Sequence, residues 1–153
     1  MEPAWTSDWA WGLPLIAVTV MLHVLALVGI TVRLSRFKDS LDKRLVKRGS
    51  LVLHAVVIFG SLALALAVLN GVEVSIWAAA YLLLGAIDTP ADAMLYSINA
   101  ITSLGASGLR LERHWRLMGA LEATNGLLLF GISTAFLAAV ITESWTSFRK
   151  LAR

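Results

Sequence analysis

Three long apolar runs constrain this chain more than any other feature of its sequence. They lie at about 13–32, 51–87 and 115–142, and a bilayer core of roughly 30 Å needs about 20 mostly apolar residues per helical span. Hydrophobic residues make up 58% of the 153 residues and charged residues only 15%, a more apolar composition than soluble domains have. The sequence therefore predicts an all-α integral membrane protein with three transmembrane helices.

Basic residues indicate which ends of these spans face the cytoplasm. Two groups of Lys and Arg stand out: Arg33, Arg36, Lys38, Lys43, Arg44, Lys47 and Arg48 after the first span, and Arg149, Lys150 and Arg153 at the end of the chain. Short segments rich in Lys and Arg stay on the cytoplasmic side. We therefore expect the N-terminus outside and the C-terminus in the cytoplasm.

The same pattern divides the chain into four parts. Residues 1–34 form an N-terminal segment with the first transmembrane helix, and residues 35–50 form either a basic cytoplasmic loop or an interfacial amphipathic helix. Residues 51–142 hold the other two spans, and residues 143–153 form a basic cytoplasmic tail.

The run at 51–87 is too long for one simple span, because as a single helix it would reach roughly 55 Å. Asn70-Gly71 could divide it, but a further crossing would place the C-terminus outside, against its charge. One long, tilted or kinked helix fits better, with Trp77 and Tyr81 near its outer interface.

A short helix is predicted at 90–101, between the last two spans. Thr89 suits its N-cap, Pro90 its first position, and Asp92 completes a pattern like a capping box. The helix is too short to cross a membrane, so it must enter and leave on the same side. Residues 102–108 follow it with two glycines and three hydroxyls.

Such a segment predicts a pore, because non-helical backbone at membrane depth survives only where protein covers it or water reaches it. Around a symmetry axis its carbonyls can replace part of an ion's hydration shell. One copy cannot enclose a pore, and closed cyclic symmetry is the usual solution for identical subunits. We therefore expect a re-entrant pore helix and filter loop in a homotetramer.

The residues of this segment also carry a family resemblance. TSLG at 102–105 resembles the TTVG that opens a potassium-channel selectivity filter. WRLMGALEATNGLLLFGISTAF at 115–136 resembles the inner helix, and IWAAAYLLLG at 76–85 the outer helix, of bacterial two-transmembrane pore-loop channels. The resemblance implies that residues 51–142 are a pore module with one extra N-terminal helix, located in a bacterial inner membrane.

By position, the resemblance assigns the selectivity filter to Thr102, Ser103, Leu104, Gly105, Ala106, Ser107 and Gly108. Ala106 stands where the family has tyrosine, and Ser107 where it has a second glycine. Without the tyrosine the packing that keeps the filter rigid is absent, and serine adopts a left-handed conformation only at a cost. A wider filter with little preference for potassium over sodium follows, or a shorter one that holds fewer ions.

Arginines after the filter favour a different permeant ion. Arg110 and Arg113, with Arg116, would give a tetramer a positive collar at its outer mouth, and rings of arginine favour anions. Alternatively these arginines pair with Glu112, Asp88 or Asp92, or with lipid phosphates.

Three polar residues in apolar surroundings are candidate supports for the filter. Asn99 lies one turn before Thr102 and could brace the loop. Glu73 and Glu122 are carboxyls inside apolar runs, where each costs roughly 2.5 kcal/mol or more at mid-membrane. Each is either a proton- or ion-sensing group behind the filter or a packing contact, with Asn99 or Asn125 as candidate partners.

The last helix contains candidates for a gate. Gly126 and Gly131 could act as hinges or could allow close helix packing. Phe130 could form a hydrophobic gate or simply contact lipid or core. His23 and His54, on different spans, are expected to be hydrogen-bonded interior residues rather than metal ligands.

Other function classes find little in this sequence. It contains no cysteine, and we identify no nucleophile paired with a base, no phosphate loop and no zinc-ligand spacing. We expect no enzyme activity, no bound metal and no cofactor beyond permeating monovalent cations such as potassium or sodium. The expected partners are the lipid bilayer and identical subunits, with no nucleic acid and no soluble partner. The alternatives to a cation channel are a non-conducting or regulatory membrane protein of channel-like architecture and an anion-permeable pore.

Overall fold

A computed structural model describes residues 5–45, 51–105, 111 and 115–151. This part of the chain is helical, without β-strands, and contains four helices: α1 (Trp5–Leu45), α2 (Leu51–Leu83), α3 (Pro90–Ile101) and α4 (Arg116–Leu151). Three of them are long and apolar enough to cross a membrane, over Thr6–Ser35, Ala55–Leu83 and Arg116–Ser144. The chain is thus a multi-pass membrane protein, and the predicted all-helical class with three spans is confirmed.

α1 and α4 extend further than the apolar runs predict, whereas α2 ends at Leu83, before the end of its run. α1 begins at Trp5 and continues to Leu45, so most of the basic segment prolongs the first span as helix instead of forming a loop. Its 41 residues correspond to about 60 Å, which is twice the thickness of a bilayer core. Part of α1 must therefore extend beyond the hydrocarbon when the helix crosses a membrane.

α2 is one helix, as predicted, and it passes through Asn70 and Gly71 without a break. It stops at Leu83 because Gly85 adopts a left-handed backbone conformation, with φ +64°. The Gly85 N–H donates to the Leu82 carbonyl at 3.1 Å and the Ala86 N–H donates to the Tyr81 carbonyl at 2.9 Å. This pair of bonds is a Schellman motif, which satisfies the last carbonyls of the helix.

The contacts between helices fix their directions. From α1 to α4, Asp8 accepts from the Leu117 N–H at 3.2 Å, and His23 lies 3.0 Å from Ser133. The residue numbers of the contacting pairs increase together in both helices, so α1 and α4 run in the same direction. α2 runs in the opposite direction, because Tyr81 contacts Glu122 whereas the earlier Val74 packs with Leu129. We call the end of the bundle where α2 finishes and α4 begins the upper end.

α3 runs downward from the upper end into the bundle. Its start has the predicted cap: Thr89 Oγ accepts from the Asp92 N–H at 3.1 Å, with Pro90 in the first turn. Ala93 packs in a core at the upper end with Trp77, Tyr81, Ala86, Leu111 and Trp115. The last residue, Ile101, packs instead with Val74 and Leu129, which lie about 14 and 20 Å along their helices from the upper end.

Trp77 and Tyr81 are fully buried in that upper core, near the end of α2, so their rings contact other helices; their expected position near the outer interface stays a prediction. Tyr81 stacks edge-on against Tyr96 of α3, with ring centroids 5.2 Å apart. These aromatic residues pack α3 against α2, which explains why they are enclosed.

The close packing of α3 against α4 can be tested by substitutions at two glycines of α4. A Cβ at Gly126 would collide with the backbone carbonyl of Ile101, whereas one at Gly131 would meet nothing within 4 Å. Alanine is favoured over glycine within a helix by about 1 kcal/mol, and overpacking costs about 1–3 kcal/mol. We expect Gly126→Ala to lower the thermal stability of the purified protein in detergent and Gly131→Ala to leave it unchanged or raise it. Equal effects of the two substitutions on thermal stability would contradict the close contact between Gly126 and the end of α3.

Candidate functional site

α3 ends in a well-defined, hydrogen-bonded turn. The Ser103 N–H donates to the Ala100 carbonyl at 2.9 Å and the Leu104 N–H donates to the Asn99 carbonyl at 3.1 Å, which is a second Schellman motif. Ser103 takes the left-handed position, with φ 57°, and Gly105 follows with φ 80°. A serine in a conformation that favours glycine marks a strained position.

This geometry differs from a fully extended filter. Thr102 is the C-cap of α3, and its hydroxyl donates to the Ile98 carbonyl at 2.6 Å. Residues 102–105 are exposed, and Leu104 has 78% of its surface accessible. Of the filter residues assigned by resemblance, Ala106, Ser107 and Gly108 lie outside the described residues, as do Arg110 and Arg113.

An open pocket of about 240 Å³ adjoins the turn. It lies between α3 and the first turns of α4, and its lining consists of Tyr96, Asn99, Ala100, Ser103, Gly105, Gly119 and Ala123. Asn99 therefore borders the same space as the residues after α3, and its backbone carbonyl closes the Schellman motif. The bracing role expected for Asn99 concerns its side chain, which is half-buried; that role stays a prediction.

Glu122 is fully buried and joins three helices. The Tyr81 hydroxyl of α2 donates to Glu122 Oε2 at 2.7 Å, and the Ser97 hydroxyl of α3 contacts Glu122 Oε1. Ser97 Oγ also lies 2.9 Å from the Val74 carbonyl. A hydroxyl has one hydrogen to donate, so both Ser97 contacts are hydrogen bonds only when Glu122 carries a proton.

Tyr96 lies beside this carboxyl but outside the three candidate spans. Burial and the nearby Glu122 carboxyl raise the pKa of the Tyr96 hydroxyl. The neutral phenol therefore persists at alkaline pH, where a free tyrosine would ionise. Tyr96 consequently faces the pocket next to Asn99 as an uncharged hydrogen-bonding group.

Glu73 forms a second polar centre, which involves α1 instead of α3. His23 Nδ1 lies 2.8 Å from Glu73 Oε1, and His23 Nε2 lies 3.0 Å from Ser133 Oγ of α4. His23 and Glu73 have no accessible surface, and Ser133 has 7%. We call His23, Glu73 and Ser133 the lower polar centre, and Glu122, Tyr81 and Ser97 the upper polar centre.

The structure gives these carboxyls other partners than the candidate asparagines: His23 for Glu73, and Tyr81 and Ser97 for Glu122. Asn125 Nδ2 donates to Thr19 of α1 at 2.8 Å. The general expectation of hydrogen-bonded packing contacts agrees with this geometry, and His23 is the bonded interior residue that the sequence suggested. Glu122 contacts α3 through Ser97, whereas Glu73 bonds to His23 of α1.

The candidate hinge residues differ in their surroundings. Gly126 is buried in direct contact with Ile101, at the point where α3 ends. Gly131 is exposed, and Phe130 is half-buried. The contact at Gly126 fits close packing, and α4 continues as regular helix through both glycines.

The lower polar centre is a constellation that sequence reasoning missed. Serine, histidine and a carboxyl in this order form the relay of acyl-transfer enzymes, although we identified no nucleophile paired with a base from the sequence. The available signal was the spacing: Thr19 and His23 share one face of α1, and Glu122, Asn125 and Ser133 share one face of α4. The pairing of these polar groups depends on the axial register between the helices. The spacing of residues within one helix does not determine that register.

Acyl transfer also needs donors that stabilise an oxyanion. Ser133 lies in the middle of α4, where backbone N–H groups are used within the helix; only the first four N–H groups of a helix are free. The geometry thus supports hydrogen bonding and proton exchange at this centre. Among the described residues no group of three or more His, Asp or Glu could hold a metal ion.

The upper centre is tested by two replacements of one residue. Glu122→Gln keeps an oxygen for Tyr81, and its amide can donate to Ser97, so we expect the thermal stability to stay near that of the native protein. Glu122→Leu leaves both hydroxyls without their partner, and each such buried group costs about 1–3 kcal/mol. A Gln variant as unstable as the Leu variant would show that the hydrogen bonds do not hold the upper end together.

The absence of oxyanion donors gives a separate expectation for Ser133. A fluorophosphonate probe, which labels activated serines, should leave the folded protein unmodified at Ser133, as measured by intact-mass and peptide mass spectrometry. A trypsin sample labelled in the same detergent serves as the positive control. Labelling at Ser133 that disappears in His23→Gln would instead identify a serine nucleophile.

Comparisons with known proteins add no further constraint. No protein-family model, curated protein or solved structure matches this chain. The resemblance to pore-loop channels therefore stands on the sequence motifs, and the function has to be argued from the geometry of α3, the turn after it and the two polar centres.

Proposed function

We propose that the chain is a subunit of a homotetrameric ion channel in which α3 is a re-entrant pore helix and residues 102–108 form the filter. The observation that carries this proposal is the depth of α3. Its end packs against Val74, Leu129 and Gly126, in the interior of the bundle, while Ala93 near its start and Leu111 after the turn pack in the upper core. The chain goes down and returns to the end at which it started.

The electrostatics of α3 favour a cation at its lower end. The carbonyls at a helix C-terminus carry a partial negative charge, and α3 directs this end into the middle of a membrane-spanning bundle. The last turn of α3 contains no basic residue. Several such ends around one axis would together offset part of the cost of an ion at that depth, as backbone carbonyls do in ion-selective pores.

The exposed residues around the turn support an assembly. In a single chain, residues 102–105 are exposed, and facing lipid their polar groups would go without partners at a cost of several kcal/mol. Met94, Leu95 and Ile98 add an exposed apolar face on α3. Identical subunits around an axis would cover this face and leave the turn lining water, which is why we infer a closed homotetramer.

The turn chemistry bears on selectivity. Because Thr102 and Ser103 adopt the cap conformation at the end of α3, these two residues are not extended, and a shorter stretch of backbone remains to line a filter. Together with alanine at 106 and serine at 107, this supports a short pore that passes potassium and sodium with weak preference. The charge pattern supports an N-terminus outside and a C-terminus in the cytoplasm, and the resemblance supports a bacterial inner membrane.

The test is a reversal-potential measurement on purified protein in a planar bilayer, with potassium on one side and sodium on the other. We expect a clear current that reverses near zero, since neither ion is strongly favoured. Ala106→Tyr combined with Ser107→Gly should shift the reversal potential toward that of a potassium-selective pore. Reversal set by a chloride gradient would instead identify an anion pore.

Substitutions at the turn locate the conducting path. We expect Thr102→Ala to change the single-channel conductance by at least about twofold, because it alters the cap that presents the loop. Thr31→Ala is the matched control: its hydroxyl also bonds the carbonyl one turn earlier, at 2.8 Å, but on α1. Full-length tetramers without current, or currents indifferent to Thr102, would contradict the proposal and favour a non-conducting or regulatory protein.

A further inference from the structure

The lower polar centre has a feature that a simple packing contact does not need: its hydrogen bonds can be satisfied in two protonation states. With neutral imidazole, His23 Nδ1–H donates to Glu73 Oε1 and Nε2 accepts from the Ser133 hydroxyl, over 2.8 and 3.0 Å. With a second proton, Nε2–H donates to Ser133 Oγ. The serine hydrogen can then turn to the carbonyl of its own helix, one turn earlier.

Neighbouring hydroxyls on α4 show that this second arrangement is ordinary. Thr134 donates to the Phe130 carbonyl at 2.8 Å, and Thr124 donates to the Ala120 carbonyl at 2.9 Å. A serine hydroxyl can both donate and accept, so Ser133 Oγ can accept from an imidazolium without any movement of the helix. The centre therefore has a partner that exchanges donor and acceptor roles as the imidazole gains or loses its proton.

The charge of the pair favours occupation of this second state. Neutral His23 beside ionised Glu73 leaves one net negative charge where neither side chain has accessible surface, and an uncompensated buried charge is costly. Glu73 Oε2, moreover, has no hydrogen-bond partner in the described part of the chain. One further proton makes the pair neutral, either as an ion pair or with the proton on the carboxyl.

We propose that His23 and Glu73 form a proton-binding site, with Ser133 as its switchable partner, and that the bound proton holds α1 against α2 and α4. The ligand is a single proton, taken up by the pair as a unit. The two groups interact strongly, so the proton belongs to both and not to one residue. Its release leaves a buried charge at the junction between α1 and the two helices that carry the pore loop.

The other buried ionisable groups, Glu122, Tyr81 and Asp8, have hydrogen-bond partners of their own. From α2 the group facing His23 is Glu73, from α4 it is the uncharged Ser133, and α3 contributes Ser97, which bonds the Val74 carbonyl and Glu122. Glu122 and Tyr81 bond each other in the upper centre, and Asp8 of α1 accepts from the Leu117 N–H. The charged group that faces His23 is therefore Glu73.

The proposal is tested by spectroscopy on purified protein in detergent, so it does not depend on conduction. The chain has three histidines, and His54→Gln with His114→Gln leaves His23 as the one imidazole for ¹⁵N NMR. Infrared difference spectra over the same pH range follow carboxylic acid groups. We expect the imidazole signal and a carboxyl signal to change in one shared step, and not in two independent steps.

Variants assign that step. Glu73→Gln should remove the carboxyl signal and weaken the proton affinity of His23 by about tenfold or more, because an adjacent carboxylate favours the imidazolium form. Thr134→Ala, next to Ser133 but bonded to its own helix, should leave the step unchanged. The proposal is overturned if neither His23 nor Glu73 gains or loses a proton wherever the protein stays folded, or if the imidazole signal follows the same pH curve in Glu73→Gln.

If Glu73→Gln fails to fold, the variant in which His23 is the one remaining histidine still tests the proposal. A shared step of imidazole and carboxyl supports the site, and separate steps overturn it. The role in holding α1 is read from hydrogen exchange of α1 amides on either side of the step: faster exchange around His23 in the deprotonated state supports it, and equal exchange rejects it.

Discussion

The two fully buried carboxyls of this bundle, Glu73 and Glu122, find their partners on other helices, and the arrangement of the helices follows from that constraint. In an apolar membrane protein the hydrophobic effect does not distinguish one packing from another, because lipid is as apolar as a leucine side chain. Unsatisfied carboxyls are costly, so the pairs Glu122–Tyr81 and Glu73–His23 specify register where apolar contacts alone would not. The same two carboxyls specify different neighbours. Glu122 meets the short helix α3 through Ser97, whereas Glu73 meets the N-terminal helix.

Small residues complete what the polar pairs begin. Gly126 lets the last carbonyl of α3 lie directly against α4, and Gly119 does the same for the Tyr96 ring. With a side chain at either place α3 would have to lift away from α4, and the turn after it would rise toward the upper end. The depth of residues 102–105, on which the proposed pore depends, is therefore set by two glycines on α4 and by one buried carboxyl, not by the turn itself.

Local chemistry made parts of this fold predictable. Thr89, Pro90 and Asp92 predicted the start of α3, and the apolar runs predicted the number of helices long enough to span a membrane, although not the full length of α1 and α4. The end of α2 at Gly85 and the cap at Ser103 were harder, because each depends on a positive φ and Ser103 is not a residue that sequence rules place there. The partners of Glu73 and Glu122 could not be predicted, since helical spacing shows which residues share a face but not the vertical offset between two helices. The burial of Trp77 and Tyr81 could not be predicted for a related reason: aromatic residues serve both at membrane surfaces and in cores, and only the position of α3 distinguishes the two.

The separation of the two polar centres has a mechanical consequence. α3 is seated by the upper centre and α1 by the lower one, with α2 and α4 common to both. A change in protonation at His23 and Glu73 would loosen α1 without removing any hydrogen bond that holds α3. The turn would then keep its geometry while α1 shifts. Two short routes connect α1 with α3. In α2, Glu73, bonded to His23 of α1, lies next to Val74, whose carbonyl is 2.9 Å from Ser97 Oγ of α3. In α4, Asn125, bonded to Thr19 of α1, lies next to Gly126, which contacts the end of α3. A movement of α1 that α2 or α4 follows would therefore reach the proposed filter loop at the point where α3 ends.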